Sequence, residues 1–117
     1  MAGDTVFVVG WNRAVTGREK YAMELFQEAL GTYAGWQREG KIESFEPVLL
    51  DAHGGDLNGF IVLRGEFDKL HGLKNLDKWI DLNARASYCI QDFGVVEGAI
   101  NAGLQKRMTL WNKVISQ

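Results

Sequence analysis

The sequence predicts an α+β fold in which helices cover one side of an antiparallel sheet of four strands. Four short runs rich in β-branched and aromatic residues are typical of strands, and they alternate with longer stretches whose apolar residues recur at helical spacing. The 117 residues suit one hydrophobic core, so a single domain over residues 1–117 is expected. Apolar residues make up 46% of the chain and charged residues 24%, as in folded globular proteins.

Residues 5–12, which read TVFVVGWN, predict the first strand because the run is short, β-branched and aromatic. Thr16 and Glu19 have the three-residue spacing of a capping box. They predict the start of a long amphipathic helix over residues 17–39, in which apolar residues recur every three to four positions. Its expected inward face consists of Ala22, Leu25, Phe26, Ala29, Tyr33 and Trp36.

Glycine and the single proline indicate particular backbone conformations in the next part of the chain. Gly40 suits the left-handed position that ends many helices. Gly31 and Gly35 lie inside the predicted helix, where each costs roughly 1 kcal/mol against alanine, so close backbone packing is expected there as compensation. Pro47 lies in a predicted second strand over residues 42–52 and places it at an edge of the sheet, because proline lacks the N–H that a central strand needs.

Turn residues connect this second strand to a third. The segment HGGDLN at residues 53–58 is rich in residues that favour tight turns, and residues 59–66 form another apolar, β-branched run. The second and third strands are therefore predicted to form a hairpin.

Two helices and a strand follow, and then a last helix. Asp68 can cap a short helix that ends at Leu73, and Asn75 can cap another that ends near Ser87. Residues 89–99 predict the fourth strand. We expect the apolar side of the last helix, which Asn101 caps, to contact the core or a dimer partner; it consists of Leu104, Met108, Trp111 and Ile115.

This order, β-α-β-β-α-β with a C-terminal helix, is the split βαβ or ferredoxin-like arrangement. Helices cover only one face of such a sheet, so the second face must be polar or find a partner. The predicted strands are apolar on both faces, and we therefore expect a homodimer that covers the second one. The residues assigned to this helix-free face, because they mix aromatic with charged side chains, are Phe7, Val9, Trp11, Phe60, Val62, Arg64, Phe93, Val95 and Glu97.

The order of elements, the long first helix, the EPVLLDAHGGDLNGFIVLRG hairpin and the FGVVEG strand together resemble the dimeric α/β-barrel superfamily. Within it, the hairpin is similar to small bacterial YCII-like and domain-of-unknown-function proteins. The resemblance covers nearly the whole chain and implies a dimeric barrel. It implies no single activity, because the superfamily includes cofactor-free monooxygenases of antibiotic biosynthesis, haem-degrading enzymes, isomerases and EthD-like proteins.

The interior of such a barrel would be lined by the apolar and aromatic residues assigned to the helix-free face, and this lining suits a small-molecule pocket. Two charged residues are expected in it: a buried Arg64 could bind a substrate carboxylate or phenolate, and Glu97 is a second catalytic candidate. Alternatively, Arg64 and Glu97 pair with each other or across the dimer interface. The residues expected to contact the ligand are Trp11, Phe60, Val62, Phe93, His71 and Tyr88.

His53 is a candidate general base at the end of the second strand. Asp51 lies two residues earlier, so both side chains of an extended chain point to one face, and a nearby carboxylate orients an imidazole and raises its basicity. A register shift of one residue would reverse that face, and a solvated loop histidine is the alternative interpretation.

His71, Trp79 and Asn12 are the residue types that haem-degrading members of the superfamily use, which makes haem binding a further alternative. Their order differs, since Trp79 follows His71 here and the family's tryptophan precedes its histidine. No cofactor is otherwise expected.

Composition argues against several classes of function. A net charge of −2 and a pI near 5.6 offer no basic surface for nucleic acid or an anionic membrane. The one cysteine, Cys89, cannot form an internal disulfide and is expected to be an inert core residue, which favours a reducing, cytoplasmic location. The chain has two histidines and no dense set of metal ligands, so no metal site is expected.

Two hypotheses follow from the sequence. The first is a cofactor-independent monooxygenase or isomerase, in which Arg64, His53 or Glu97 transfers a proton or stabilises charge on a small aromatic molecule. The second is a non-catalytic dimer, which either binds such a molecule or fills its barrel with side chains such as Trp11 and Phe60. An open cavity at the centre of the barrel would favour the enzyme.

Overall fold

A computed structural model describes residues 2–117 and has the element order βαββααβα. The strands β1 to β4 are Thr5–Trp11, Ser44–Leu49, Gly59–Gly65 and Gly94–Ala99. The helices α1 to α4 are Glu19–Arg38, Phe67–Leu73, Asp77–Cys89 and Asn101–Ile115.

The four strands form one sheet in the order β2-β3-β1-β4, and every neighbouring pair is antiparallel. This is the predicted ferredoxin-like topology. The predicted hairpin of β2 and β3 is confirmed, and so is the position of β2, with Pro47, at an edge. The sheet does not close on itself, so a single chain forms no barrel.

The strand register shows which side chains share a face of the sheet. Residues directly opposite each other on neighbouring strands point the same way. Phe7 pairs with Leu63 on β3 and with Glu97 on β4. Phe7 and Leu63 are fully buried, and Glu97 contacts His71 of α2, so these three residues lie on the face that the helices cover.

The predicted assignment of faces is therefore correct for β3 and wrong for β1 and β4. Phe60, Val62 and Arg64 do lie on the face without helices, hereafter the open face. The helix-covered face instead contains six residues that were expected on the open one: Phe7, Val9, Trp11, Phe93, Val95 and Glu97.

The physical reason for this reversal is that the layer between the sheet and the helices must be packed with large apolar side chains. Phe7 lies 5.6 Å from Trp79 of α3 between ring centroids, and Trp79 lies 6.4 Å from Trp36 of α1. These aromatic rings occupy part of the space between the sheet and the helices with large apolar side chains. The open face of β1 and β4 is left with small residues: Val6, Val8, Gly10, Gly94, Val96 and Gly98.

The start of α1 differs from the predicted capping box. Arg18 occupies the N-cap position, and no side chain caps the helix. The carboxylate of Glu19 accepts a hydrogen bond of 2.7 Å from the backbone N–H of Gly17 instead. At the other end, Gly40 has a φ of +78°, so its predicted left-handed conformation is confirmed.

The predicted caps of α2 and α3 are also wrong. The first N–H of α2, that of Phe67, donates 3.0 Å to the carboxylate of Asp4, which precedes β1, and not to Asp68. No side chain caps α3, which begins after Leu76 and not at Asn75.

The helix α3 continues further than predicted and so shortens the last strand. It ends at Cys89, the residue at which the fourth strand was expected to begin. Asp92 then adopts a φ of +54° in a turn, and β4 starts at Gly94.

The C-terminal helix α4 projects from the rest of the molecule. None of its residues is buried in the single chain, so of the two contacts expected for its apolar side, the core and a dimer partner, the contact with the core is wrong. Asn101 is its first residue and not its cap, and the side-chain amide of Asn101 donates 2.7 Å to the carbonyl oxygen of Gly3. The radius of gyration is 16.0 Å, against about 13 Å for a compact chain of this length. Within residues 2–117, no helix has both the length and the apolar character needed to cross a membrane.

Candidate functional site

A cavity of about 330 Å³ lies between the helix-covered face of the sheet and the helices α1 and α3. The sheet contributes Val9, Trp11 and Ile61 to its wall, and Phe93 joins them from the turn before β4. Residues on successive turns of α1 line one side of the cavity, and residues of α3 line the other side. The helical residues that line the cavity include Ala22, Leu25, Phe26, Ala29, Tyr33, Leu82 and Ala86.

Small side chains at inward-facing helical positions create this space. Ala22 and Ala29 are seven residues apart on α1, so they lie on the same face of the helix, and Ala86 faces them from α3. All three are buried, and an alanine at a buried position leaves unfilled the volume that leucine or phenylalanine would occupy. The cavity is thus a result of the sequence of α1 and α3.

Aromatic rings form one end of the cavity. Trp11 and Phe26 meet edge to face with 5.7 Å between ring centroids. The Trp11 ring lies over Gly59 so closely that a Cβ on Gly59 would be 2.6 Å from a ring carbon. Because glycine has no Cβ, residue 59 leaves room for the Trp11 ring in the cavity wall.

Tyr33 is a polar group in the otherwise apolar interior. Its side chain is 3% exposed, and burial raises the pKa of its phenol to about 12. The phenol stays protonated at neutral pH, so its hydroxyl can donate a hydrogen bond to a bound molecule. The other polar residues that border the cavity are Asn83, which is half-buried, and the exposed Arg13 and Glu19.

Two of the residues predicted to contact a ligand, Trp11 and Phe93, line this cavity. Phe60 and Val62 lie on the opposite, open face of the sheet. Tyr88 is 53% exposed near the end of α3, where the guanidinium of Arg18 lies 3.9 Å from its ring centroid.

The two charged residues predicted on one face lie on opposite faces of the sheet. Arg64 is on the open face, and its guanidinium is 3.4 Å from the carboxylate of Glu46. Glu97 is on the helix-covered face. The alternative that Arg64 and Glu97 pair with each other is therefore wrong for the single chain.

His53 is an exposed residue in the loop between β2 and β3 and does not line the cavity. Its Nδ1 lies 3.0 Å from the backbone carbonyl oxygen of Asp51. The predicted contact with the Asp51 carboxylate is thus replaced by a backbone contact, as the alternative of a solvated loop histidine implies.

His71 and Glu97 form a pair outside the cavity. Nε2 of His71 is buried and lies 2.8 Å from Oε1 of Glu97, although the two groups lack the alignment of a hydrogen bond. The imidazole is stacked on Phe67 with 4.0 Å between ring centroids. His71 and Trp79 both contact Phe7, whereas Asn12 lies beyond the other end of β1, so the residues proposed for haem do not come together.

Cys89 is fully buried, as predicted for a core residue. Burial also raises the pKa of its thiol, because a thiolate loses its hydration there.

The sequence-based site missed the contribution of α1. Ala22, Ala29 and Tyr33 belong to the inward face that the helical periodicity predicted, but an inward face is ordinarily core. The sequence does contain one signal for the cavity, the recurrence of alanine at inward-facing helical positions. Alanine at such a position leaves a cavity only if the neighbouring helix and the sheet do not pack against it, and the sequence does not give that distance.

No family model matches the sequence, and neither does any curated protein. The solved structures similar to this chain include a dimeric ferredoxin-like protein of unknown function from Bacteroides fragilis NCTC 9343, with 12% identity and a TM-score of 0.61. That match covers 84% of this chain and 97% of the other. A dimeric ferredoxin-like protein of unknown function from Thermobifida fusca YX has 13% identity and a TM-score of 0.63, over 84% and 92% of the two chains.

A third similar structure is SnoaB, a cofactor-independent oxygenase from Streptomyces nogalater. It has 14% identity and a TM-score of 0.50, and the match covers 86% of this chain and 94% of SnoaB. At these identities the likenesses show the fold and no activity. They establish that this chain has a ferredoxin-like α+β fold.

Proposed function

We propose that this protein binds a small, largely apolar molecule in the cavity between α1, α3 and the sheet. The observation that supports the proposal is the cavity itself. Its volume of about 330 Å³ is within the roughly 300–1,000 Å³ of small-molecule sites. The cavity is open to solvent on one side, and a molecule that removes its apolar lining from water stabilises the fold.

The lining favours a neutral molecule with an aromatic ring. Trp11, Phe26 and Phe93 offer ring faces and edges at one end, and the phenol of Tyr33 can donate one hydrogen bond within the interior. The charged lining residues Arg13 and Glu19 are exposed. A charged ligand would lose its hydration in the interior without gaining a charged partner there, so neutral compounds are preferred.

A thermal-shift screen of neutral aromatic compounds tests this proposal. A compound at 100 times its dissociation constant stabilises the folded chain by about 2.7 kcal/mol. In Ala29→Leu the added side chain enters the cavity, and we expect the variant to lose most of the ligand-induced rise in Tm. Ala84→Leu, at an exposed position of α3, is the matched control and should keep it. Equal ligand-induced shifts in both variants, or no shift with any compound, would refute the proposal.

Oxygenase chemistry in the same cavity is a second candidate. SnoaB supports it as a cofactor-independent oxygenase of the same fold, and an apolar cavity of this size can exclude water from a bound molecule. Consumption of dissolved oxygen after addition of a stabilising compound, with no metal or cofactor added, would distinguish catalysis from binding alone. Unchanged oxygen in the presence of bound compound argues for the binding function.

We also infer that two copies of the chain associate through their open faces. Two ferredoxin-like proteins with similar structures are described as dimeric. The open face here includes Val8, Phe60, Val62 and Val96, the last of which is 66% exposed. Sheets that cover each other in this way give the arrangement of a dimeric α/β barrel. Light scattering in solution should give twice the 13.1 kDa mass of one chain.

The proposed ligand site and the proposed dimer interface use opposite faces of the sheet. The cavity lies on the helix-covered face within one chain, while the interface lies on the open face. A dimer whose interface is filled with side chains can therefore still have an open ligand cavity in each chain. The hypothesis of a ligand-binding protein and the hypothesis of a structural dimer do not exclude each other.

A further inference from the structure

We propose that α4 is an arm that binds the open sheet face of a second copy of the chain. This inference rests on the proposed homodimer and adds to it a contact that the facing sheets alone do not provide. The arm exchange is reciprocal, because a two-fold dimer places each α4 on the partner.

The first argument is the exposed apolar side of α4. Trp111 is 60% exposed and Ile115 is 78% exposed, although both are large and apolar. Together with Leu104 and Met108 they recur at positions i, i+4, i+7 and i+11, which is one stripe along a helix. Leu110 and Val114 widen the stripe, and they too are exposed. Contiguous apolar surface of this extent on a soluble chain indicates a partner.

The second argument is area. The open face is a second unpartnered apolar surface on the same chain, and it includes the exposed Val96. Stable interfaces bury roughly 800 Å² per partner. An interface in which each chain contributes both its arm and its open face buries more apolar area than an interface made from either surface alone.

The third argument is charge, which favours contact between α4 and the rest of the partner chain over contact between the two α4 helices. The helix α4 contains Lys106, Arg107 and Lys113 and no acidic residue. The remaining chain has ten basic and fifteen acidic residues, a net charge of −5. Two arms packed on each other would bring like charges together, whereas the rest of the partner chain has a net charge opposite to that of the arm and attracts it.

The fourth argument is length. The fifteen residues of α4 extend over about 22 Å at 1.5 Å per residue. A sheet of four strands is about 15–20 Å wide at 4.8 Å between neighbouring strands. The arm is therefore long enough to span the partner's sheet from edge to edge, on a strip of the open face beside the area where the two sheets meet.

An anionic membrane is the competing partner for a basic amphipathic helix with an exposed tryptophan. A membrane would cover α4 and leave the open face of the sheet uncovered. A second copy of the chain covers both surfaces at once, and we therefore favour it.

The test is the double variant Trp111→Asp with Ile115→Asp, studied by sedimentation velocity over a range of concentrations. We expect wild type to be dimeric and this variant to dissociate at least tenfold more readily, because two charges then lie in the apolar contact. The control, Gln105→Asp with Thr109→Asp, adds the same charge to the polar side of α4 and should dimerise as tightly as wild type. Since α4 has no buried residue, circular dichroism should show both variants folded.

Each outcome is decisive. A dimer as tight as wild type in the Trp111 and Ile115 variant overturns the arm contact and leaves the facing-sheet dimer intact. A monomeric wild type refutes the dimer itself. Co-sedimentation of wild type with vesicles of phosphatidylserine and phosphatidylcholine, lost in the same variant, would assign the arm to a membrane and overturn the proposal.

Discussion

The glycines of this chain differ in what their backbone conformation and surroundings require. Gly59 makes room for the ring of Trp11, and Gly40 adopts a positive φ after α1. Gly31 does neither, because a Cβ at this position of α1 would meet no atom within 4 Å. A Cβ at Gly35 would make only an ordinary contact of 3.6 Å with the end of Arg38. The predicted close packing at Gly31 and Gly35 is therefore wrong.

The substitution Gly31→Ala should stabilise the protein. Alanine loses less backbone entropy than glycine when a helix forms, and nothing here opposes the added methyl group. We expect the free energy of unfolding in urea to rise by about 0.5–1 kcal/mol. Gly40→Ala is the contrasting variant and should lower it by about 1 kcal/mol, because φ at Gly40 is +78°. If Gly31→Ala instead lowered the free energy of unfolding, another group would have to lie against Gly31 and oppose the added methyl group.

At the scale of elements, a group of charged side chains joins α1 to α3. The guanidinium of Arg85 donates two hydrogen bonds, of 2.9 and 3.0 Å, to the carboxylate of Glu28. Lys78 contacts the same carboxylate, and Arg85 also donates to Asp81 at 3.0 Å. The hydrogen bonds from Arg85 and Lys78 lower the pKa of Glu28 to about 2. This contact holds together the two helices that enclose the cavity.

The link between α1 and α3 should weaken in acid. The pKa of Glu28 is lower in the folded chain than the 4.5 of an unperturbed glutamate, so its stabilisation is complete above pH 4.5 and is lost as pH falls toward 2. Glu28→Gln should lower the free energy of unfolding at pH 7 by on the order of 1 kcal/mol, since the side chain is a third exposed and water screens the pairs. The difference from wild type should shrink between pH 4.5 and 2.

Glu24→Gln is the control for this pH dependence. Glu24 is on the same helix, but its side chain is 63% exposed, and within residues 2–117 its carboxylate forms one ion pair, at 3.9 Å from Lys20. We expect this variant to follow the wild-type acid profile. A constant difference between Glu28→Gln and wild type from pH 7 to pH 2 would contradict the role of the Glu28 carboxylate.

The sequence was sufficient to predict elements whose cause is local and insufficient where the cause is distant. Helical periodicity predicted α1, and Pro47 predicted an edge strand, because both signals belong to neighbouring residues. The cap of α2 comes from Asp4, which is 63 residues from Phe67. No spacing rule for caps reveals such a partner.

The same limit explains the error in the faces of the sheet. Alternation within a strand predicts two sets of side chains but not which set the helices cover. Only the register, which pairs Phe7 with Leu63, decides that question. For this reason Arg64 and Glu97, which were expected together on one face, lie on opposite faces of the sheet.

At the scale of the whole molecule, the open face and α4 are apolar surfaces that a single chain leaves uncovered. Their common burial in the proposed dimer couples folding to association, so the stability of the folded chain depends on protein concentration. A hundredfold increase in concentration adds about 2.7 kcal/mol per dimer, or half of that per chain. For a chain of 117 residues this corresponds to a rise in Tm of about 5 °C.

Differential scanning fluorimetry over that hundredfold range measures the effect directly. Wild type should show the rise of about 5 °C, and the Trp111→Asp, Ile115→Asp variant should show a smaller rise, because its weaker dimer dissociates at the lower concentrations and single chains then unfold alone. The ligand-induced shift should persist in this variant, since the cavity lies within one chain and on the opposite face of the sheet. A wild-type Tm independent of concentration would mean that the open face and α4 are not buried together, and loss of the ligand shift in the variant would mean that the cavity needs the partner.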